Sequence, residues 1–143
     1  MGLFDFARNI GKKIFSNDDE AAEKLKAHIE ADNPGMKDLT VEYTDGVAKI
    51  SGQAKDSAAL EKAVLMAGNV EGVGEVQLGE VSGAEPSENV SYYEIQSGDS
   101  LWKIAEKAYG NGSQYTKIFE ENKEVIKDPD LIYPGQKIRI PNA

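Results

Sequence analysis

Residues 82–89 read Ser-Gly-Ala-Glu-Pro-Ser-Glu-Asn, eight positions without one large apolar side chain. Such a stretch has nothing to bury, so it is a linker. A chain of 143 residues divided there must fold as two small modules and not as one core. Modules of about 60 to 70 residues are marginal alone, so contact between them, or a bound ion, has stability to contribute.

Hydrophobic periodicity places the elements on either side. Leu3, Ala7, Ile10 and Ile14 follow helical 3-4 spacing and Phe6 widens the stripe, which predicts a short N-terminal helix within residues 1–20, either a packing helix or a surface anchor for a membrane. Ser16 to Glu20 starts a second helix; Ala22, Leu25 and Ile29 form its face, and Asn33-Pro34-Gly35 stops it. Alternation over residues 39–43 and 47–51 around Asp45-Gly46 predicts a β-hairpin ending at Gly52. Residues 54–67 predict a helix with Leu60, Val64 and Ala67 on one face and Gly68-Asn69 at its end, and Val73, Val76 and Leu78 a last strand. Beyond the linker, Tyr92, Tyr93 and Ile95 read as a strand, Asp99 or Ser100 caps a helix over 101–109, a further helix covers 114–122, and residues 132–136 turn into a strand that Pro141 ends. The expected organisation is therefore α+β: an N-terminal helix (1–20), an αββαβ module (21–81), a linker (82–90) and a βααβ module (91–143). The linker is expected to keep the two modules functionally separate.

Several functions are excluded on composition. A net charge of -9 without a basic stripe speaks against nucleic acid. There is no cysteine, hence no disulfide or thiolate metal site, and the single histidine, His28, sits among Lys26, Ala27, Ile29 and Glu30 with no nucleophile motif. No placed carboxylate pair supports acid-base chemistry, so no enzyme is expected. Charged residues interrupt the apolar ones at the N-terminus, no later run approaches the roughly 20 apolar residues of a membrane span, and residue 6 is Phe where a myristoylation motif has Ser or Thr. A cytoplasmic monomer is the expectation.

The run from Tyr93 through Gly98, Asp99, Ser100, Leu101 and Trp102 to Ala105, with Tyr115, Ile118, Asn122 and the run from Ile132 to Pro141, closely resembles a LysM domain. The resemblance implies binding of N-acetylglucosamine-containing glycans such as peptidoglycan between two loops, here Gly98, Asp99, Ser100 and Leu101 facing Ile132, Tyr133 and Pro134. On the residues alone these positions also serve to cap a helix and turn the chain. The first module, with Val47-Ala48-Lys49-Ile50-Ser51-Gly52 and Gly68-Asn69-Val70-Glu71-Gly72-Val73, resembles a BON domain. The whole order, opening on Met1-Gly2-Leu3-Phe4-Asp5-Phe6, resembles the bacterial family of potassium-binding proteins. That resemblance implies a cytoplasmic K+ sensor of the bacterial stress response, with the ion held by the main-chain carbonyls of Ala7, Ile10, Gly68, Val70 and Val73.

Those positions suit the ion. K+ is weakly hydrated for its charge and is selected by neutral carbonyl dipoles, whereas carboxylates favour Ca2+ or Mg2+. None of the five is acidic, and no EF-hand loop occurs in the chain. The last carbonyls of a helix lack intrahelical partners and carry its negative dipole end, and glycines at 68, 72 and 74 let the chain after the helix curl so that several carbonyls can converge. Without the family resemblance the same features read as an ordinary glycine-rich cap.

Overall fold

The computed structural model describes residues 3–9, 11, 13–85 and 90–141. The first module contains helix α1 (Asp18–Glu30), strands β1 (Met36–Thr44) and β2 (Val47–Ala54), helix α2 (Ser57–Gly68) and strand β3 (Glu75–Ser82). Asn17 starts α1 by accepting the Glu20 N–H, while the Glu20 carboxylate accepts the Ser16 N–H at 2.6 Å. Ala21, Leu25 and Ile29 form its buried face, a register one residue off the expected one at its first position. The strands order β1-β2-β3, antiparallel across the hairpin and parallel between β2 and β3, with α2 as the crossover.

Helix α2 is apolar nearly all round. Asp56 caps it, and nine residues from Ala59 to Gly68, Glu61 among them, are buried. A helix buried on every side must be covered on every side. The sheet takes one face and the second module takes another.

That module pairs β4 (Val90–Glu94) antiparallel with β5 (Lys137–Pro141) and packs α3 (Leu101–Tyr109) and α4 (Tyr115–Glu120) around Ile95, Ile104, Ile118, Ile126 and Ile138. Asn122 stitches it together: its buried amide donates to the Ile118 and Arg139 carbonyls, both at 2.8 Å, and accepts the Arg139 N–H at 2.9 Å. β3 reaches Ser82 and β4 starts at Val90, so the strands extend into both ends of the expected linker.

Two expectations need correction. No helix forms among the described residues before Asp18. The segment runs instead along the outer edge of β3: the Val76 N–H donates to the Phe4 carbonyl, Phe6 N–H to the Gly74 carbonyl and Gly72 N–H to the Arg8 carbonyl, at 2.9, 3.0 and 2.7 Å. Backbone groups used by a neighbouring strand are not available for i→i−4 bonds, and Gly11 at φ +123° lies outside helical geometry. The linker also does not keep the modules apart in space. Arg139 of β5 reaches Glu61 of α2 at 3.1 Å with both side chains buried, and Lys62 pairs with Glu124 at 3.0 Å.

Candidate functional site

The end of α2 and the chain that follows it carry the first candidate site. Asn69 caps the helix, and the turn that follows returns the chain through Val70, Val73 and Gly74 to β3. The N-terminal segment lies across this turn as a strap. Phe6 packs so closely on Gly68 that any side chain there would collide with its ring, and a Cβ at Gly11 would collide with the Asn69 carbonyl oxygen. These two glycines are what allow the strap to approach.

The hydrogen bonds around the turn divide its carbonyls into two sets. Those of Asn69, Gly72 and Gly74 accept from Tyr133 Oη, Tyr43 Oη and Phe6 N–H, and that of Arg8 in the strap accepts from Gly72 N–H. Among the described residues no donor reaches the carbonyls of Ala7, Gly68 or Val73, and the Val70 carbonyl accepts one bond, from Val73 N–H at 3.1 Å. Gly68, Val70 and Val73 are buried and Ala7 is half-buried. Ile10, the fifth candidate, lies outside the described residues. Phe15 covers Gly72 and meets Tyr43 edge-on at 5.2 Å, which closes the far side of the turn. No group of three or more His, Asp or Glu that could hold a metal occurs among the described residues.

Asn69 joins this turn to the second module. Its side chain donates to the Lys137 carbonyl at 2.7 Å and accepts the Lys137 N–H at 2.8 Å, and its carbonyl accepts from Tyr133 Oη at 3.1 Å. Burial pushes the Tyr133 phenol up to about 12, so it stays a neutral donor. The Lys137 ammonium donates to the Asp5 carbonyl and lies 4.6 Å from the centre of the Phe6 ring, which ties β5 to the strap as well. Burial lowers the pKa of this lysine against the pull of Asp5 and Glu94. Reasoning from sequence missed Asn69, Phe6 and Lys137. An Asn after a helix reads as an ordinary stop, and a lysine in a strand reads as exposed.

The glycan candidates fall into several settings. Gly98 is exposed at φ +86°, with open space where a side chain would be. Asp99 forms the turn itself, accepting Tyr93 Oη at 2.5 Å and Gln96 N–H at 2.8 Å. Burial raises its pKa, but these bonds, with Lys107 nearby, carry it below the ordinary value. Ser100 caps α3 through the Lys103 N–H, and Leu101 is buried in the core and does not line a groove. Pro134 is exposed, Ile132 is half-buried against the core, and Tyr133 is held by Asn69.

Comparison with known proteins agrees with this architecture: residues 17–78 match the BON domain and residues 93–141 the LysM domain. The chain is thus a BON–LysM protein. It is 36% identical over 148 residues, 99% of both chains, to the potassium binding protein Kbp of Escherichia coli O6:H1, and it belongs to that protein's family. The LysM part alone is 55% identical over 49 residues to an uncharacterized protein of Deinococcus radiodurans, covering 34% of this chain and 19% of that one. It is 39% identical over 49 residues to the resuscitation-promoting factor Rpf of Micrococcus luteus, covering 34% and 22%.

Proposed function

We propose that this chain binds potassium at the crossing of the strap and the turn after α2, through the main-chain carbonyls of Ala7, Ile10, Gly68, Val70 and Val73, and acts as a cytoplasmic K+ sensor. The observation that carries the reading is the division of carbonyls. Those flanking the candidates are engaged by donors, while those of Ala7, Gly68 and Val73 accept nothing among the described residues. A buried carbonyl normally has a partner, and a cation supplies one to several at once. The relative at full length is named for potassium binding, which supports the same choice of ion. The end of α2 adds the negative pole of a helix of 12 residues, and neutral ligands suit K+ better than a divalent ion. Titration with KCl followed by carbonyl 13C shifts tests the proposal. Saturable shifts at Ala7, Gly68, Val70 and Val73, absent with NaCl, are expected; shifts confined to carboxylate side chains would refute it.

Glycan binding by the LysM domain is the second reading, favoured by the domain match and by the exposed Gly98 and Pro134 on its two loops. Since Asp99, Ser100 and Leu101 are occupied with turn, cap and core, the main-chain groups of the first loop would meet the sugar.

A further inference from the structure

We infer that Lys137 of the LysM strand β5 sets the affinity of the ion site and selects against divalent cations, by holding beside the site a positive charge that repels a second one. Resting on the potassium reading above, this names the residue that discriminates between ions there. Lys137 is 1% exposed, and both its main chain and its side chain place it at the turn after α2. The Asn69 amide bonds its main chain on both sides, at 2.7 and 2.8 Å, and Asn69 lies between the proposed ligands Gly68 and Val70. Its side chain reaches the strap: the ammonium donates to the Asp5 carbonyl and lies 4.6 Å from the centre of the Phe6 ring, the same ring that packs directly on Gly68.

A carbonyl oxygen and a ring face both favour the protonated amine in this setting, and the carboxylates of Asp5 and Glu94 pull the same way. An ion at the turn would sit about one aromatic ring away, held by neutral carbonyls that do nothing to cancel a second positive charge. At the effective dielectric of about 20 that describes protein sites, two unit charges about 8 Å apart repel by enough to weaken binding roughly thirtyfold. Asp5 and Glu94 offset part of this, so the net cost to K+ is about tenfold. Coulomb repulsion scales with the charge of the incoming ion, so a divalent ion loses the square of that factor, about a hundredfold. A chain of net charge -9 attracts divalent ions in general, and Lys137 counters that attraction at this turn. A lysine that served only to tether the strap through Asp5 would act in the opposite direction, since its removal would loosen the segment that carries Ala7 and weaken K+ binding.

Calorimetry on the full chain and on Lys137→Met tests this, with K+ titrated directly and Ca2+ read by its displacement of bound K+. In the variant K+ is expected to bind about tenfold more tightly and Ca2+ about a hundredfold more tightly. Lys137→Gln, which keeps a donor for the Asp5 carbonyl, should show the same order of gains and reads the effect where circular dichroism finds the Met variant unfolded. Unchanged or weaker K+ binding in the folded variants, or equal gains for the two ions, would overturn the inference and leave the ion site standing. A wild-type chain that binds no K+ overturns the ion reading and this inference with it.

Discussion

Arg139 decides more at the residue scale than its place in a short strand suggests. It pairs with Glu61 at 3.1 Å and with Glu121 at 2.8 Å, and its own side chain and that of Glu61 are almost wholly buried. Two charges withdrawn from water gain little net stability from each other, but a single one left behind is costly. Arg139→Met, which removes the cation that faces the buried Glu61 carboxylate, is expected to destabilise the chain by about 3–5 kcal/mol. The double substitution Arg139→Met with Glu61→Leu should recover most of that loss, because it leaves no buried charge unpaired. Urea denaturation of the three proteins measures both numbers. A double variant as unstable as the single one would show that the pair itself, and not the charge imbalance, is what the interface needs.

The strap is the decisive piece at the scale of elements. It contributes one described ligand candidate, Ala7, together with three backbone hydrogen bonds to the segment 72–76. Deleting residues 2–11 removes the Ala7 and Ile10 carbonyls, and specific K+ binding should be lost. The α/β core lies after residue 17 and should survive, with the apolar surface that Leu3 and Phe6 cover exposed. Circular dichroism checks the fold and calorimetry the binding; a folded, truncated chain that binds K+ with unchanged affinity would exclude the strap from the site. The strap is also where sequence patterns were least informative. Leu3, Ala7, Ile10 and Ile14 fit helical spacing, but Leu3 and Phe6 pack singly into the core and onto Gly68, and nothing in a local pattern registers a strand edge 70 residues away. The hairpin, α2 and the LysM elements were legible because Asp45-Gly46, the Gly68-Asn69 stop and the cap at Ser100 act locally. The candidate site was legible only in part: carbonyl ligands leave no residue-type signature, and the family resemblance supplied the proposed positions. Asn69 and Lys137 matter through contacts between residues 68 positions apart, which no periodicity encodes.

Taken whole, the molecule is two modules joined across α2 and β5, with the proposed ion site where strap, helix end and LysM strand meet. A ligand bound only by the folded state stabilises it by mass action, by about 2.7 kcal/mol at a hundred times its dissociation constant. For a chain of this size such a gain moves thermal unfolding by several degrees. The site touches both modules, so the gain should appear in a single transition, monitored equally by Trp102 of the LysM domain and by backbone dichroism. Thermal unfolding in KCl and in NaCl at equal ionic strength is therefore the most direct test of the central claim. A potassium site of this kind raises the midpoint by several degrees in KCl, with both probes coincident; superimposable curves in the two salts would contradict it.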